Sequence, residues 1–459
     1  MGRLFGTNGI RGIPGVDLHI EFVAEFGRAL GSYFGKGPIL IGRDGRASSL
    51  AISKALASGL MFSGLEVRDA GLVPTPCLQY AVRKLGYGGG VMITASHNPP
   101  EYNGIKVMGE DGVEVGRGEE LKIEEIYYEK RYRKVGWNEL GGFGPEPRAL
   151  DEYIKGVIGL VDADEIRRRK FRLIMDIGNG AQAVSAPYMV EKLGVKVLTL
   201  NGHVDPMFTG RGPEPTPETL STLSRSVKKL GYDLGVGYDG DGDRSIFCDE
   251  EGNVYWGDLT GALILDYLLS KAPGSLVVTT VSSSQLIGIV AEKHGSKVLY
   301  TKVGSVDVSR AMIEHDALFG IEENGGWFYA PHIPVRDGCM STALMLEVLS
   351  KSGETLSELM AGLPRFYKVK EKVECPNQLK HEVVKALAKE AEGRVELIDG
   401  VKVWPDERSW VLVRASGTEP LIRVYAESDE EGRVKKLVRD YVELVRELIK
   451  RKVGSSRKA

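Results

Sequence analysis

Ser96 lies in the run Thr94-Ala95-Ser96-His97-Asn98-Pro99-Pro100, between apolar Gly90-Val91-Met92-Ile93 and Tyr102-Asn103-Gly104-Ile105-Lys106. A serine hydroxyl is a weak nucleophile until a base, a cation or a metal stands near it, and here His97 adjoins it and Lys106 follows in the same stretch. Taken alone, an ordinary turn in which Ser and Asn bond their own backbone fits these residues equally well. Asp239, Asp241 and Asp243 alternate with glycine in Tyr238-Asp239-Gly240-Asp241-Gly242-Asp243-Arg244, so three carboxylates can converge if the backbone bends. Hard oxygen ligands of this kind suit Mg²⁺, and without a cation they repel one another. Asp239, Asp241, Asp243 and Glu250 also fall at EF-hand positions one, three, five and twelve. Against a calcium loop, Arg244 stands where that loop needs glycine, and Leu234-Gly235-Val236 and Ser245-Ile246-Phe247 read as flanking strands.

Three further stretches carry polar chemistry. Glu322-Glu323-Asn324-Gly325-Gly326 offers acceptors for sugar hydroxyls, although an acidic surface loop accounts for it as well. In Arg414-Ala415-Ser416-Gly417-Thr418-Glu419-Pro420, a guanidinium, two hydroxyls and a flexible turn suit a dianionic phosphate, and Arg423 can add a second fork. A tight hairpin between two strands is compatible with that reading. Near the start, Phe5-Gly6-Thr7-Asn8-Gly9-Ile10-Arg11-Gly12 can bring backbone N–H groups and Arg11 to an anion. Arg43 reads as a salt-bridged turn with Asp44 rather than a phosphate contact.

Most of these loops follow strand-length apolar runs. Helices are expected over 20–34 and 49–62 and after Pro76, with strands over 38–41, 66–68 and 90–93 leading to Ser96. The alternation repeats before the aspartate loop and again before the glutamate loop, where a helix from 259 and others over 284–293 and 306–315 separate strands. Such alternation predicts three α/β domains with mixed, mainly parallel sheets, and ligands bind beyond the carboxyl ends of such strands. From about Tyr367 the pattern changes to strands over 369–373, 395–398, 410–413 and 421–426 with two helices, which fits a C-terminal α+β domain. The expected domains are 1–148, 149–251, 252–365 and 366–459, with residues 450–459 a frayed tail.

At 459 residues the chain exceeds one hydrophobic core. A net charge of −3 offers no basic surplus for nucleic acid, which is not an expected partner. Cys77, Cys248, Cys339 and Cys375 form no CxxC pair and read as free thiols of a reducing compartment. No apolar run approaches the roughly 18 residues of a membrane span, and the N-terminus opens no signal peptide, so a cytoplasmic location without membrane partners is expected.

Together, in order and spacing, the four loops at Ser96, Asp239, Glu322 and Arg414 resemble those of the α-D-phosphohexomutase superfamily over essentially the whole chain. The resemblance implies that four loops converge on one cleft, where a phosphoserine at Ser96 gives its phosphoryl group to a hexose monophosphate. A 1,6-bisphosphate then forms, turns over and returns its other phosphate. It implies Mg²⁺ on Ser96, Asp239, Asp241 and Asp243, proton transfer by His97 or Lys106, and substrate contacts from Arg11, Arg244, Lys302, Glu322, Asn324, Arg414, Ser416, Gly417, Thr418 and Arg423. Asn8 stands where many members have aspartate, and Asn324-Gly325-Gly326 where many have serine, glycine and histidine, so His332 is the expected substitute for that histidine. Small-molecule hexose phosphates are the implied partners, and a homodimer is left open. The expected activity is of phosphomannomutase/phosphoglucomutase type, with phosphoglucosamine mutase as the alternative, because Ser-Gly-Thr-Glu-Pro resembles the latter group. An aspartate-nucleophile phosphatase and a non-catalytic sugar-phosphate binding protein are the readings of different class.

Overall fold

A computed structural model describes residues 4–6, 8–417 and 419–456. The first sheet runs in the order Ile10–Gly12, Asn103–Met108, Gly90–Ile93, Ile39–Arg43, Val67–Leu72, Phe143–Pro145. Its first two pairings are antiparallel and the other three parallel. The second sheet, Ser245–Cys248, Leu234–Tyr238, Arg172–Asp176, Lys196–Leu200, has one antiparallel edge on a parallel body. In the third, Val298–Thr301, Val277–Thr280 and Phe319–Ile321 are parallel, and Trp327–Tyr329 and Ile333–Arg336 extend the sheet antiparallel. The last sheet is wholly antiparallel, in the order Tyr367–Glu374, Leu421–Ser428, Ser409–Ala415, Val401–Asp406, Arg394–Glu396. The architecture is therefore multidomain α/β, mixed sheets with flanking helices, as the alternation predicts.

One apolar core passes through the first three units, taking in Leu40, Leu78, Tyr153, Leu173, Leu265 and Met345. At its centre lies helix Gly338–Ser352, which is buried from Gly338 to Ser350 and so reads as apolar on nearly every side. Asp337 caps it, its Oδ1 accepting the Met340 N–H at 2.9 Å. The last sheet has its own core of Val411, Val413, Val424, Leu387, Val434 and Val445. The first three units are thus packed as one body, and the fourth is attached to it by polar contacts as well as by a small cluster of Val281, Trp410 and Leu412.

Several local expectations are corrected. Lys106, to which the sequence assigned no element, lies on a central strand, paired with Met92 across the sheet. Asn103 and Gly104 obscure that strand because both have low strand preference. Val401–Asp406 is a strand that the sequence reading missed. The final helix runs Glu431–Ser456, so residues 450–456 are helical rather than frayed. Arg451 and Lys452 there reach Glu390 and Glu382 at 3.2 and 3.6 Å. Asp44 pairs with Arg46 at 3.0 Å, while Arg43 Nε is buried without a partner. All four cysteines are buried and free. Among the described residues no helix is long and apolar enough to cross a membrane.

Candidate active site

The strand Gly90–Ile93 ends at the Ser96 loop, and Ser96 itself sits in the left-handed region at φ 51°. A residue with a Cβ is strained there, so the loop must be held from outside. Arg46 does so from within the core. Its guanidinium donates to the carbonyls of Ser96 and Asn98 at 2.7 Å each, of Pro99 at 2.6 Å and of Tyr102 at 2.9 Å, and its Nε donates to Asp44. Phe208, from the second unit, lies 5.0 Å beneath the cation.

The antiparallel hairpin Leu234–Tyr238 and Ser245–Cys248 presents the aspartate loop, which excludes the helix-flanked calcium loop. Glu250, the would-be twelfth ligand, instead bonds Ser357. A Cβ on Gly240 would stand 2.5 Å from the Ser96 carbonyl oxygen, so only glycine lets the two loops approach this closely. As a result Ser96 Oγ donates to Asp239 Oδ2 at 2.8 Å.

Asp239, Asp241 and Asp243 each offer an oxygen, all within 4.8 Å of one another, and all three are buried. Burial, followed by the charges of Asp243 and Asp241, pushes the Asp239 carboxyl well above the usual range. Burial acts on Asp241 in the same sense, but Lys106 and the Thr75 hydroxyl outweigh it and hold that carboxyl well below the range. Asp241 Oδ1 and Asp243 Oδ1 are buried without hydrogen-bond partners. Converging carboxylates with free lone pairs suit a hard divalent cation, so the donor set fits the metal that the spacing implied.

Lys106 Nζ lies 2.9 Å from Asp241 Oδ2 and 3.4 Å from Asp243 Oδ2, with Glu114 at 3.9 Å. Burial opposes its charge, yet these carboxylates together raise its pKa above the ordinary lysine value. His97 Nδ1 is 3.3 Å from Ser96 Oγ, and Arg244, then burial, Arg11 and Arg336 push the imidazole well below its usual pKa. Arg11 donates to Asn98 Oδ1. Arg244 donates its backbone N–H to Asp239 Oδ1 at 3.1 Å, with its side chain near Asp239 and Asp243 at 3.9 Å.

The glutamate loop is the turn between Phe319–Ile321 and Trp327–Tyr329. Gly325 has φ 86°, and its carbonyl accepts the Ser245 N–H at 3.0 Å, tying this turn to the aspartate hairpin. Glu322 is buried and meets Arg336 at 3.3 Å, while the other Arg336 nitrogen pairs with Asp243. Burial raises the Glu322 carboxyl pKa despite that cation. Asn324 Oδ1 accepts the Gly326 N–H at 3.2 Å.

Three loops are therefore joined, and no hydrogen bond or ion pair among the described residues links the fourth to them directly. Arg414 Nε donates to Asp399 at 2.9 Å, and Asp399 also accepts the Val303 N–H at 3.1 Å, beside the exposed Lys302. Ser416 is buried with its carbonyl on Lys380 at 2.6 Å, Gly417 is exposed, and Arg423 pairs with Glu419 at 2.6 Å. Thr418 lies outside the described residues.

His332 is not brought to the cleft. Its side chain is 1% exposed, stacked on Tyr80 at 4.4 Å between rings and 3.2 Å from Asp337. The expectation fails because the ring packs against Tyr80 and Tyr153 instead. Sequence reading also missed Thr75, which donates to Asp241 at 2.6 Å, along with Arg46, Glu114 and Arg336. None carries a local signal, since each becomes a site residue only through contacts more than twenty residues distant or across a sheet.

Four families cover the chain: phosphoglucomutase/phosphomannomutase domains I, II and III match residues 2–134, 151–252 and 256–367, and the C-terminal domain matches 371–444. The chain is 43% identical over 453 residues to the phosphoglucosamine/phosphogalactosamine mutase of Sulfurisphaera tokodaii, covering 97% of this chain and 99% of that one. It is 39% identical to the phosphoglucomutase/phosphomannomutase of Thermococcus kodakarensis, covering 98% and 100%. Against a probable phosphoglucosamine mutase of Methanopyrus kandleri the identity is 40%, covering 98% and 99%. The crystal structure of a phosphoglucomutase/phosphomannomutase family protein from Burkholderia thailandensis superposes with a TM-score of 0.86 at 25% identity, covering 97% of each chain. With its four domains matched in order and its serine, aspartate and glutamate loops in contact, the chain belongs to the α-D-phosphohexomutase superfamily and is an isomerase of phosphohexomutase type.

Proposed function

We propose that this enzyme interconverts the 1- and 6-phosphates of an amino sugar, glucosamine phosphate foremost, through a phosphoserine at Ser96 and a 1,6-bisphosphate. The observation that carries the chemistry is Ser96 Oγ at 2.8 Å from Asp239 within three buried, converging carboxylates. The amino-sugar preference is supported by the 43% identity to a phosphoglucosamine/phosphogalactosamine mutase, and it replaces the phosphomannomutase/phosphoglucomutase preference read from the sequence.

In the forward half-reaction the P–O bond to Ser96 breaks and a bond to the sugar hydroxyl forms. The hydroxyl proton leaves to a base; in the return half-reaction Ser96 Oγ attacks the other phosphoryl group, the bond from that phosphorus to its sugar oxygen breaks, and the base returns the proton to that oxygen. Asp239, Asp241 and Asp243 would hold Mg²⁺, which when bound neutralises charge on the transferring group. His97 lies beside Oγ and accepts the proton, whereas Lys106, held on Asp241 and Asp243, contributes positive charge at the phosphoryl oxygens. Arg11 and Arg244 line the same side. Glu322 and Asn324 face sugar hydroxyls, and the turn at Arg414, with Ser416, Gly417, Thr418 and Arg423, anchors the distal phosphate beside Lys302. For Arg414 and Arg423 this requires an exchange, because Asp399 and Glu419 hold them in this structure.

Turnover on glucosamine, glucose and mannose 1-phosphates tests the preference, with glucosamine 1-phosphate expected to give the highest kcat/KM. Mass spectrometry of the isolated protein is expected to show phosphate on Ser96. A Ser96→Ala variant that kept full activity would remove the serine from the mechanism.

A further inference from the structure

We propose that a cavity at the junction of the first three units is a second ligand site, separate from the Ser96 cleft, for a small phosphorylated metabolite. The cavity has a volume of about 340 Å³ and is lined by Tyr80, Arg83, Lys84, Lys155, Leu160 and His332 among others. Its size is within the range of small-molecule pockets, roughly 300 to 1,000 Å³.

Charge and polarity define the ligand. Arg83 and Lys84 end helix Thr75–Leu85, and Lys155 is in the last turn of helix Arg148–Ile158. Lys155 shares its charge with Glu152 at 3.0 Å, whereas Arg83 and Lys84 have no ion pair among the described residues. Basic residues are favoured at helix C-termini, so the rim alone would prove nothing. The floor is the independent observation. His332 is almost wholly buried; its Nε2 faces Asp337 Oδ2 at 3.2 Å, and its Nδ1 has no hydrogen-bond partner. A buried ring nitrogen left without a partner on a residue that lines a cavity marks a place where a ligand or water belongs. A forked guanidinium and an ammonium on the rim suit a phosphate monoester, and Leu160, Pro331 and the Tyr80 ring suit a less polar body.

The site also has a route to the chemistry. His332 immediately precedes strand Ile333–Arg336, whose last residue grips Asp243 and Glu322. Occupancy that reorients His332 therefore acts on the strand that positions the aspartate loop.

The chain has seven histidines, so selective ¹³C labelling of their rings gives a countable NMR spectrum, with His332 assigned by H332Q and His97 reporting the Ser96 cleft. Titration with inorganic phosphate and with glucose 6-phosphate is expected to shift the His332 signals saturably. In R83E/K84E, which alters only exposed side chains, the affinity read at His332 should fall at least tenfold, with the His97 response and the basal turnover unchanged. A His332 signal that never saturates, or equal affinity in the double variant, would overturn the site. Loss of the His97 response alone would count against the reading of the cleft and leave this one standing.

Discussion

Arg46 Nη2 donates to the main-chain carbonyl of Ser96 at 2.7 Å, fifty residues along the chain and inside the core. The same guanidinium bonds three more carbonyls of the loop and Asp44, so the planar fork acts as a template for a backbone that is otherwise strained at Ser96. The Arg46 side chain is closed off from solvent, so we expect catalysis to depend on a group that never meets the substrate.

Arg46→Lys keeps the charge and loses the fork. Each charge-assisted hydrogen bond contributes about 1.5 to 3 kcal/mol, and the lysine can replace one or two of them. We expect kcat to fall by about a hundredfold or more with KM changed less than about threefold, because the defect is in the placement of Oγ. Steady-state kinetics beside a thermal melt would check it, and normal kcat in a folded variant would refute it.

Arg336→Met should destabilise the enzyme most when no metal is present. The side chain pairs with Asp243 and Glu322, and removing one partner of a buried ion pair costs about 3 to 5 kcal/mol. Mg²⁺ would supply Asp243 with a cation in its place. Denaturation midpoints with chelator and with Mg²⁺ are the measurement, and a deficit independent of the metal would show that Arg336 acts apart from the aspartates.

Mg²⁺ itself should stabilise the wild type, by about 2.7 kcal/mol at a hundred times its Kd. Asp241→Asn keeps the hydrogen-bonding shape towards Thr75 and Lys106 and removes a negative charge. Its melting temperature should barely respond to Mg²⁺, and its turnover should be lost. Undiminished metal response in this variant would place the cation elsewhere.

Lys402 gives a pH dependence whose sign is fixed. It is buried against Trp410 at 4.1 Å and Trp404 at 4.8 Å, donates to the Val281 carbonyl at 2.8 Å, and burial lowers its pKa to about 8. Between about 8 and the ordinary 10.5, the unfolded chain binds the proton and the folded one does not. Stability attributable to this group therefore rises with pH across that window, by about 3 kcal/mol in all, and is flat below it. Lys402→Met should be more stable near neutral pH and lack the rise. Identical pH profiles for the two proteins would contradict it.

The chain order of strands and helices, the four polar loops and the residues Ser96, Asp239, Asp241 and Asp243 are legible in the sequence, because strand-length apolar runs and the glycines between carboxylates are local features. Only the tertiary structure decides which distant groups serve those loops. Lys106 turns out to lie on a strand, and Thr75 and Arg336 meet the aspartates, Glu114 meets Lys106 and Arg46 holds the Ser96 loop, through pairings that no local pattern encodes. His332 shows the converse. Proximity in sequence to Glu322 suggested a shared site, and the turn between two short strands instead packs it against Tyr80. Strand direction and sheet pairing set where a side chain points, and these depend on the whole core rather than on the residues beside it.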